Sequence, residues 1–401
     1  MTDQLATFLA SSPVDALFLP IGILVLPILL TLSFRQIALN QQTEPQRNRI
    51  WASYREFSHF ILVLTVAAWW VIWDLRGRDD LISVIGSHWL PTVETSSLEA
   101  ILFWIPPTVS LGIFLLLCRA VDKIVLRLKW TAHQTLVQVC WKLVSLVVPL
   151  LMVAAGFSSI LDRKPGGIAL LIGAGVVSRV GTALLRLAQG MKFNRLKSGE
   201  LRNQALSIAS GMGVQIGKVF VVPEGKGHLI NGFGMRDAIG LTDNLGKYLT
   251  KAQKGYVIAH ELAHVRLKHS RKHLLLVMAI FSITTLLLFS LPKQASPVRP
   301  VIEVLAIFGP LVTLYYGSRH FEYCADRQAV DFTGDAEIAI QALANLERSR
   351  ELPVTHARLM EWFMTHPTFE HRVDAIAKLG CVPADRLTVI LEQAGIPVSA
   401  A

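Results

Sequence analysis

Seven apolar runs, each almost free of charged residues, constrain this chain more than any other feature. They lie at 16–34, 60–73, 101–118, 143–157, 168–185, 274–291 and 301–316. A bilayer core about 30 Å thick takes a helix of about 20 apolar residues, so most of these runs can cross it and the shorter ones borrow interfacial residues. Only 17% of the residues are charged, against roughly 25% in soluble proteins. The sequence therefore predicts a mainly α-helical, polytopic membrane protein with seven spans.

The charges between the runs predict how the chain crosses the membrane. Residues 1–15 contain no Lys or Arg, whereas the loop after the first run contains Arg35, Arg47, Arg49 and Arg55. Basic residues concentrate on the cytoplasmic side of a bacterial inner membrane, so we expect the N-terminus outside and the sequence from Arg186 onward in the cytoplasm. The same bias accounts for the net charge of +10. Binding to nucleic acid is therefore not predicted.

The sequence acquires the character of a soluble domain at about Lys192. The apolar spacing over 198–212 predicts a helix. Three short β-rich segments predict a small β-meander, at 218–222, 229–234 and 238–242. Residues 253–272 have helical character and lead into the sixth apolar run, so one long helix is expected to leave the soluble domain and enter the membrane. A tight hairpin at 292–300, on the outer side of the membrane, would lead the chain from the sixth apolar run into the seventh.

A motif with metal-ligand spacing lies in this predicted helix. His260, Glu261 and His264 form H-E-L-A-H. Positions i and i+4 share a helical face, so both imidazoles can bind one zinc ion, while Glu261 can take a proton from the metal-bound water. The alternative is an amphipathic helix whose histidines lie at a surface near the membrane.

A hydrolytic zinc site needs a third protein ligand and an open position for water. The metzincin pattern does not supply it, because Leu267 and Ser270 occupy the positions of its glycine and third histidine. Glu322, in the helical segment S-R-H-F-E-Y-C-A-D-R after the seventh run, is the candidate. Glu303 is the alternative ligand, but it lies near the outer end of a span.

Asp326 follows Glu322 by four residues and so faces the same way, where its carboxylate could hold a ligand histidine. The alternative is a solvated helix face on which Glu322 and Asp326 pair with Arg319 or Arg327. Three further histidines are assigned to a basic interface and not to metal: His269, His273 and His320.

Together H-E-L-A-H, S-R-H-F-E-Y-C-A-D and the downstream T-H-P-T-F-E-H-R resemble the three signatures of the HtpX-like and CAAX prenyl protease membrane metallopeptidases, a gluzincin family. The resemblance covers about residues 198–376. It implies that His260, His264 and Glu322 bind one zinc ion per chain and that Glu261 is the catalytic base. It also implies that Asp326 supports the ligands.

Two further segments extend this resemblance. The run N-G-F-G, formed by Asn231, Gly232, Phe233 and Gly234, resembles the N-A-F-A strand of the family, with glycine in place of both alanines. An extended substrate is expected to pair with this strand. In T-H-P-T-F-E-H-R, His366 and Arg372 are donors that could stabilise the oxyanion or brace Glu322 and Asp326. For His366 the alternative is a loop histidine before Pro367.

The predicted function is a membrane-bound zinc endopeptidase that cleaves unfolded or damaged membrane proteins or peptides, with its site just off the cytoplasmic membrane surface. Alternatives are prenyl-protease-like processing of a specific peptide and a catalytically silent membrane scaffold or transporter. A site buried in hydrocarbon is disfavoured by basic residues around the motif. The expected partners are protein or peptide substrates and the lipid bilayer; no oligomeric state is predicted.

The predicted organisation has four parts: a membrane domain with five spans at 1–188, the first part of an α+β catalytic domain with the zinc helix at 189–272, a transmembrane hairpin at 273–316, and the second part of the catalytic domain with the third ligand at 317–401.

Overall fold

The computed structural model describes residues 15–73, 95–125, 131–188, 194–222, 232–235, 237–290, 299–350, 362 and 364–396. The predictions for Asn231, for residues 292–298 of the hairpin, for the loop at 74–94 and for the first residues of the chain lie outside this part. The chain divides into two compact units. The first contains Met1–Gly190 and Ser282–Pro310, and the second contains Met191–Phe281 and Leu311–Ala401.

The first unit is built from helices that contain the first five predicted spans. Their bounds are α1 Asp15–Leu39, α2 Glu44–Ile72, α3 Thr95–Val125, α4 Ala132–Lys142, α5 Val148–Leu161 and α6 Gly166–Ala188. A π-helical turn, Leu143–Val147, joins α4 to α5. It packs against α6, where a Cβ on Gly181 would lie 2.7 Å from Cα of Ser145. Ser178 donates to the Ser145 carbonyl at 3.0 Å, which satisfies an acceptor beside the irregular turn.

Five helices in the described part of the chain are long and apolar enough to cross a membrane. They are Pro20–Leu39, Ile101–Val125, Ala132–Leu161, Gly166–Leu184 and His269–Ser290. The apolar run at 60–73 corresponds to a shorter apolar helix, Phe60–Ile72. The run at 301–316 is helical but is not among the five. The chain is thus a multi-pass, mostly helical membrane protein, as predicted.

The second unit has the mixed helix and strand content expected of an α+β domain. Its elements include β1 Asn194–Arg195, α7 Glu200–Gly211, β2 Lys218–Val222, β3 Gly232–Met235, β4 Ala238–Thr242, α8 Leu245–Tyr248, α9 Lys251–Arg266, α12 Ala336–Arg350, α13 Phe369–Leu379 and α14 Ala384–Gln393. Two long helices are divided between the units, α10 His269–Ser290 and α11 Arg299–Thr333.

The strands are connected differently from a simple meander. Their order in the sheet is β1-β2-β4-β3, with β2 and β4 parallel and β3 antiparallel to β4. All five residues of β4 are buried, which suits the central position that it takes between two strands. The glycine-containing β3 therefore lies at the edge of the sheet.

The helix that carries H-E-L-A-H begins and ends at defined points. At its start, Thr250 and Gln253 form a reciprocal capping box. At its end, Lys268 adopts φ +55°, and α10 begins at the next residue. The prediction of one continuous helix into the sixth apolar run is wrong. A left-handed residue cannot continue a right-handed helix, so Lys268 closes α9 and lets α10 start separately.

The core of the second unit surrounds α9. Tyr256, Ile258, Ala259, Leu262 and Ala263 are each no more than 1% exposed. They belong to one hydrophobic cluster with side chains of α12 and α13, among them Ala339, Ile340 and Val373. A helix buried on most of its circumference has little freedom to shift. The core therefore holds the two motif histidines on a fixed support.

Candidate metal centre

Three donor side chains converge within the second unit. His260 and His264 lie one turn apart on α9, and Glu322 comes from α11. One ligand atom from each lies within 4.8 Å of the others. Nε2 of His260 is 3.2 Å from Nε2 of His264, and the two Glu322 oxygens are each 3.5 Å from one of these nitrogens.

The spacing of these donors fits a tetrahedral metal site. With zinc–nitrogen distances of about 2.0–2.1 Å, two vertices of a tetrahedron are about 3.3 Å apart. The 3.2 Å between the two histidine nitrogens matches this spacing, and each nitrogen lies 3.5 Å from a different oxygen of Glu322. Lone pairs at such distances repel one another unless a proton or a cation lies between them. Two imidazoles and one carboxylate also leave a position open, as hydrolytic zinc sites do.

His260 faces the donor group with one nitrogen and Asp326 with the other. Its Nδ1 is 2.9 Å from Oδ1 of Asp326, although the N–H is not aimed for a regular hydrogen bond. Burial disfavours the charge of His260, but the carboxylates of Asp326 and Glu322 outweigh this and raise its pKa to about 10. Without metal His260 carries a proton, which a metal ion must displace.

Asp326 joins three elements through one buried carboxylate. Tyr256 on α9 donates to Oδ1 at 2.7 Å. Arg372 on α13 donates from Nε to Oδ2 at 2.8 Å and from Nη2 to Oδ1 at 2.6 Å. Burial opposes ionisation, but Arg372 and His260 hold the pKa of Asp326 well below its usual range. Asp326 is therefore a fixed anion beside the candidate ligand His260.

Tyr256 was not predicted from the sequence. It precedes His260 by four residues, so the same i, i+4 spacing that pairs the histidines places it on their helical face. That spacing was a signal that could have identified Tyr256.

Glu322 is 8% exposed, and its carboxylate lies close to three histidines and one arginine. Burial would raise its pKa, but contacts with His260 and His366 hold it well below the usual range. Arg372 also places Nη1 3.9 Å from Oε2 of Glu322. Glu303, the alternative ligand, belongs to the first unit, whereas both histidines belong to the second.

His366 lies in the irregular segment before α13. Its Nδ1 is 3.3 Å from Oε1 of Glu322, while two thirds of its side chain is exposed. The structure thus brings His366 to the donor group, at its solvent side. Arg372, by contrast, is mostly buried and directs its short contacts to Asp326.

Glu261 contacts the edge strand with one carboxylate oxygen. Its Oε2 accepts a hydrogen bond from the backbone N–H of Gly234 at 3.0 Å. Burial raises the pKa of Glu261, and the neighbouring charge of His260 opposes this rise. A carboxylate with a raised pKa is a better proton acceptor near neutral pH than an ordinary one.

Two glycines allow β3 to approach α9 this closely. A Cβ on Gly232 would lie 2.7 Å from Cγ of Glu261, and one on Gly234 would lie 2.7 Å from the Glu261 carbonyl oxygen. The second Cβ would also come within 2.8 Å of Val265. The glycines are thus required by the packing. Phe233 lies between them in β3, with its backbone in register with Gly240.

His269 takes a place that the sequence did not indicate. It was expected at a basic interface, but it is 5% exposed and its Nδ1 lies 2.9 Å from Nδ1 of His264. Burial and the charge of His260 lower the pKa of His264 to about 3. His264 is therefore a neutral imidazole, the form that binds a metal.

Two histidines of an H-E-x-x-H helix and a carboxylate from a later helix resemble the donor set of a metallopeptidase. Residues 195–379 match the family model of peptidase family M48. This match, over a little less than half of the chain, confirms the resemblance to the HtpX-like and CAAX protease membrane metallopeptidases.

Similar curated proteins belong to the same group. The chain is 28% identical to a protease HtpX homolog of Helicobacter acinonychis strain Sheeba, over 35% of this chain and 53% of that protein. It is 29% identical to a protease HtpX homolog of Helicobacter pylori strain J99 over the same shares. The chain thus spans about half the length of the curated relatives that it matches. Among solved structures, the crystal structure of S. mikatae Ste24p is similar over 89% of this chain and 99% of that chain, with a TM-score of 0.47 and 16% identity.

Proposed function

We propose that this chain is a membrane-bound zinc endopeptidase of the gluzincin type. The observation that carries the proposal is the convergence of His260, His264 and Glu322, whose ligand atoms lie within 4.8 Å of one another, with Glu261 next to His260 in the sequence. These three side chains would hold the zinc ion. When bound, zinc supplies a Lewis acid that polarises a peptide carbonyl and makes a coordinated water more acidic.

The proton transfers are assigned to Glu261. Its carboxylate accepts a proton from the attacking water and returns it to the nitrogen of the leaving peptide. One water is consumed, the peptide C–N bond breaks, and a carboxyl group and an amine result. The Gly234 N–H steers one oxygen of Glu261 between these transfers, because it holds that oxygen at 3.0 Å.

Arg372 and His366 receive different roles. Both oxygens of Asp326 are engaged by Arg372, so Arg372 is a positioning residue that keeps Asp326 against His260. His366 is exposed and lies beside Glu322. It is therefore the donor that can reach a developing oxyanion at the solvent side of the site.

The substrate is assigned to β3. The strand lies at the sheet edge, and a hydrogen bond links it to Glu261, so an extended segment paired with Gly232, Phe233 and Gly234 would run past the catalytic carboxylate. Pairing through the backbone tolerates many side-chain sequences. This mode favours unfolded or damaged membrane proteins as substrates over one specific peptide.

The orientation proposed for the chain has the N-terminus outside and the catalytic domain in the cytoplasm of a bacterial cell. It rests on the arginines between the first two apolar runs and on the absence of basic residues in 1–15. The span His269–Ser290 begins five residues after His264. Substrates at the membrane surface are therefore the ones expected to reach the site.

The substrate class is tested with the purified, zinc-loaded chain. A detergent-destabilised membrane protein is compared with a farnesylated C-terminal peptide and its unprenylated twin. We expect cleavage of the unfolded protein and no advantage of the lipid, with all cleavage lost in Glu261→Gln. Cleavage of the farnesylated peptide alone would instead assign the chain to prenyl-peptide processing.

A further inference from the structure

His269 is a buried imidazole outside the donor group. Its ring stacks on Phe321, with centroids 4.6 Å apart and an angle of 18° between the planes. Its Nδ1 lies 2.9 Å from Nδ1 of His264, and the two rings meet edge to face at 76°. Buried polar atoms need hydrogen-bond partners, and His264 supplies one to His269.

The left-handed residue Lys268 makes this contact possible. His269 follows His264 by five positions. In a continuous α-helix this spacing would place the two residues about 140° apart around the axis. Their side chains would then point in different directions. The break at Lys268, with φ +55°, starts α10 in a new direction and turns His269 back toward His264.

The metal-facing atom of His264 fixes where the protons lie. Nε2 of His264 is the atom near His260 and Glu322, so it must be unprotonated to bind a metal. A neutral imidazole then carries its proton on Nδ1 and donates it. Nδ1 of His269 must therefore accept this hydrogen bond, with the proton of His269 on its own Nε2.

We propose that His269 is a positioning residue that fixes the ring of His264 for metal binding by accepting the hydrogen bond from its Nδ1–H. The inference rests on the proposed zinc site. Losing such a partner of a ligand histidine typically weakens metal affinity about 10–100-fold. His260 faces the Asp326 carboxylate, whereas His264 faces a neutral imidazole. The second ligand is thus oriented without a further negative charge in the site.

Two substitutions separate this role from simple packing. His269→Asn keeps an oxygen acceptor close to the position of Nδ1 but removes the ring that stacks on Phe321. His269→Leu keeps an apolar volume against Phe321 but has no acceptor. The zinc dissociation constant of the full-length purified chain is measured by chelator competition. His320→Leu is the control, since it removes an exposed imidazole from α11.

We expect His269→Leu to weaken zinc binding about 10–100-fold, while His269→Asn and the His320→Leu control stay close to the unsubstituted chain. If His269→Leu binds zinc as tightly as His269→Asn, or more tightly, the proposed role of His269 is overturned. Should the leucine variant not fold, His269→Gln replaces it. The glutamine carbonyl reaches toward the position of Nε2 and not of Nδ1, so this variant should also bind zinc more weakly. Zinc binding as tight as that of the asparagine variant would overturn the inference. An unsubstituted chain that binds no zinc would overturn the proposed site as well.

Discussion

At the scale of single residues, Asp326 is the buried anion that links three helices of the candidate site. One carboxylate contacts His260 and Tyr256 of α9 and accepts two hydrogen bonds from Arg372 of α13. Removing one partner of a buried ion pair leaves the other charge unpaired in a medium of low dielectric constant. The same contacts that orient His260 therefore hold α9, α11 and α13 together.

Arg372→Met tests this double role. We expect the free energy of unfolding to fall by about 3–5 kcal/mol, because the charge of Asp326 stays buried without its partner. Zinc affinity should fall with it, since His260 loses its orienting group. Thermal unfolding and chelator competition measure the two effects. Arg386→Met, which breaks the exposed pair with Glu337, is the matched control. A loss of unfolding free energy no greater than that of the control would contradict the account.

At the scale of elements, the approach of β3 to α9 decides where Glu261 lies. The contact needs glycine at both 232 and 234, because a Cβ at either position would meet Glu261 at 2.7 Å. At Gly234 the obstacle is a backbone carbonyl oxygen, which cannot rotate away as a side chain can. The strand β3 and the helix α9 can thus lie this close together because residues 232 and 234 have no Cβ atom.

Gly234→Ala should push β3 away from α9. We expect a loss of stability of about 1–3 kcal/mol from overpacking and a lower kcat/KM, because the strand carries the N–H that holds Glu261. Gly217→Ala is the control, since nothing lies within 4 Å of a Cβ there. Unfolding and peptide cleavage are measured for both variants. Full activity in Gly234→Ala would show that β3 does not position Glu261.

Local patterns predicted the elements better than their connections. The i, i+4 spacing of His260 and His264 was sufficient to place both on one face, and Glu322 with Asp326 followed from the same periodicity. The break at Lys268 had no comparable signal, because lysine has no preference for a left-handed conformation. His269 was therefore assigned to a surface. The parallel pairing of β2 with β4 depends on contacts distant in sequence, and a meander was the simpler expectation.

At the scale of the whole molecule, apolar length and loop charge determine the topology. Five described helices are long and apolar enough to cross a membrane. The fifth predicted span corresponds to Gly166–Leu184, which at 19 residues is the shortest of them and contains Arg179. An arginine within a span is tolerated where its side chain reaches an interface or faces other helices.

A labelling experiment tests the proposed orientation. A cysteine or tag within residues 1–12 should be labelled from outside the cell. One within residues 385–401 should be labelled only after permeabilisation, because the predicted number of spans between the two ends is seven, which is odd. Labelling of both ends from the same side would mean an even number of spans, and Gly166–Leu184 would be the span to discard.

The zinc content and the rate of peptide cleavage, measured together on the same preparations, test the central claim most directly. The unsubstituted chain should bind one zinc ion and cleave casein. Glu261→Gln should keep the zinc and lose cleavage, because the proposed role of Glu261 is to move protons and not to bind the metal. Glu322→Ala should lose both, whereas Glu303→Ala should keep both. Full cleavage by Glu261→Gln, or unchanged zinc content in Glu322→Ala, would contradict the account.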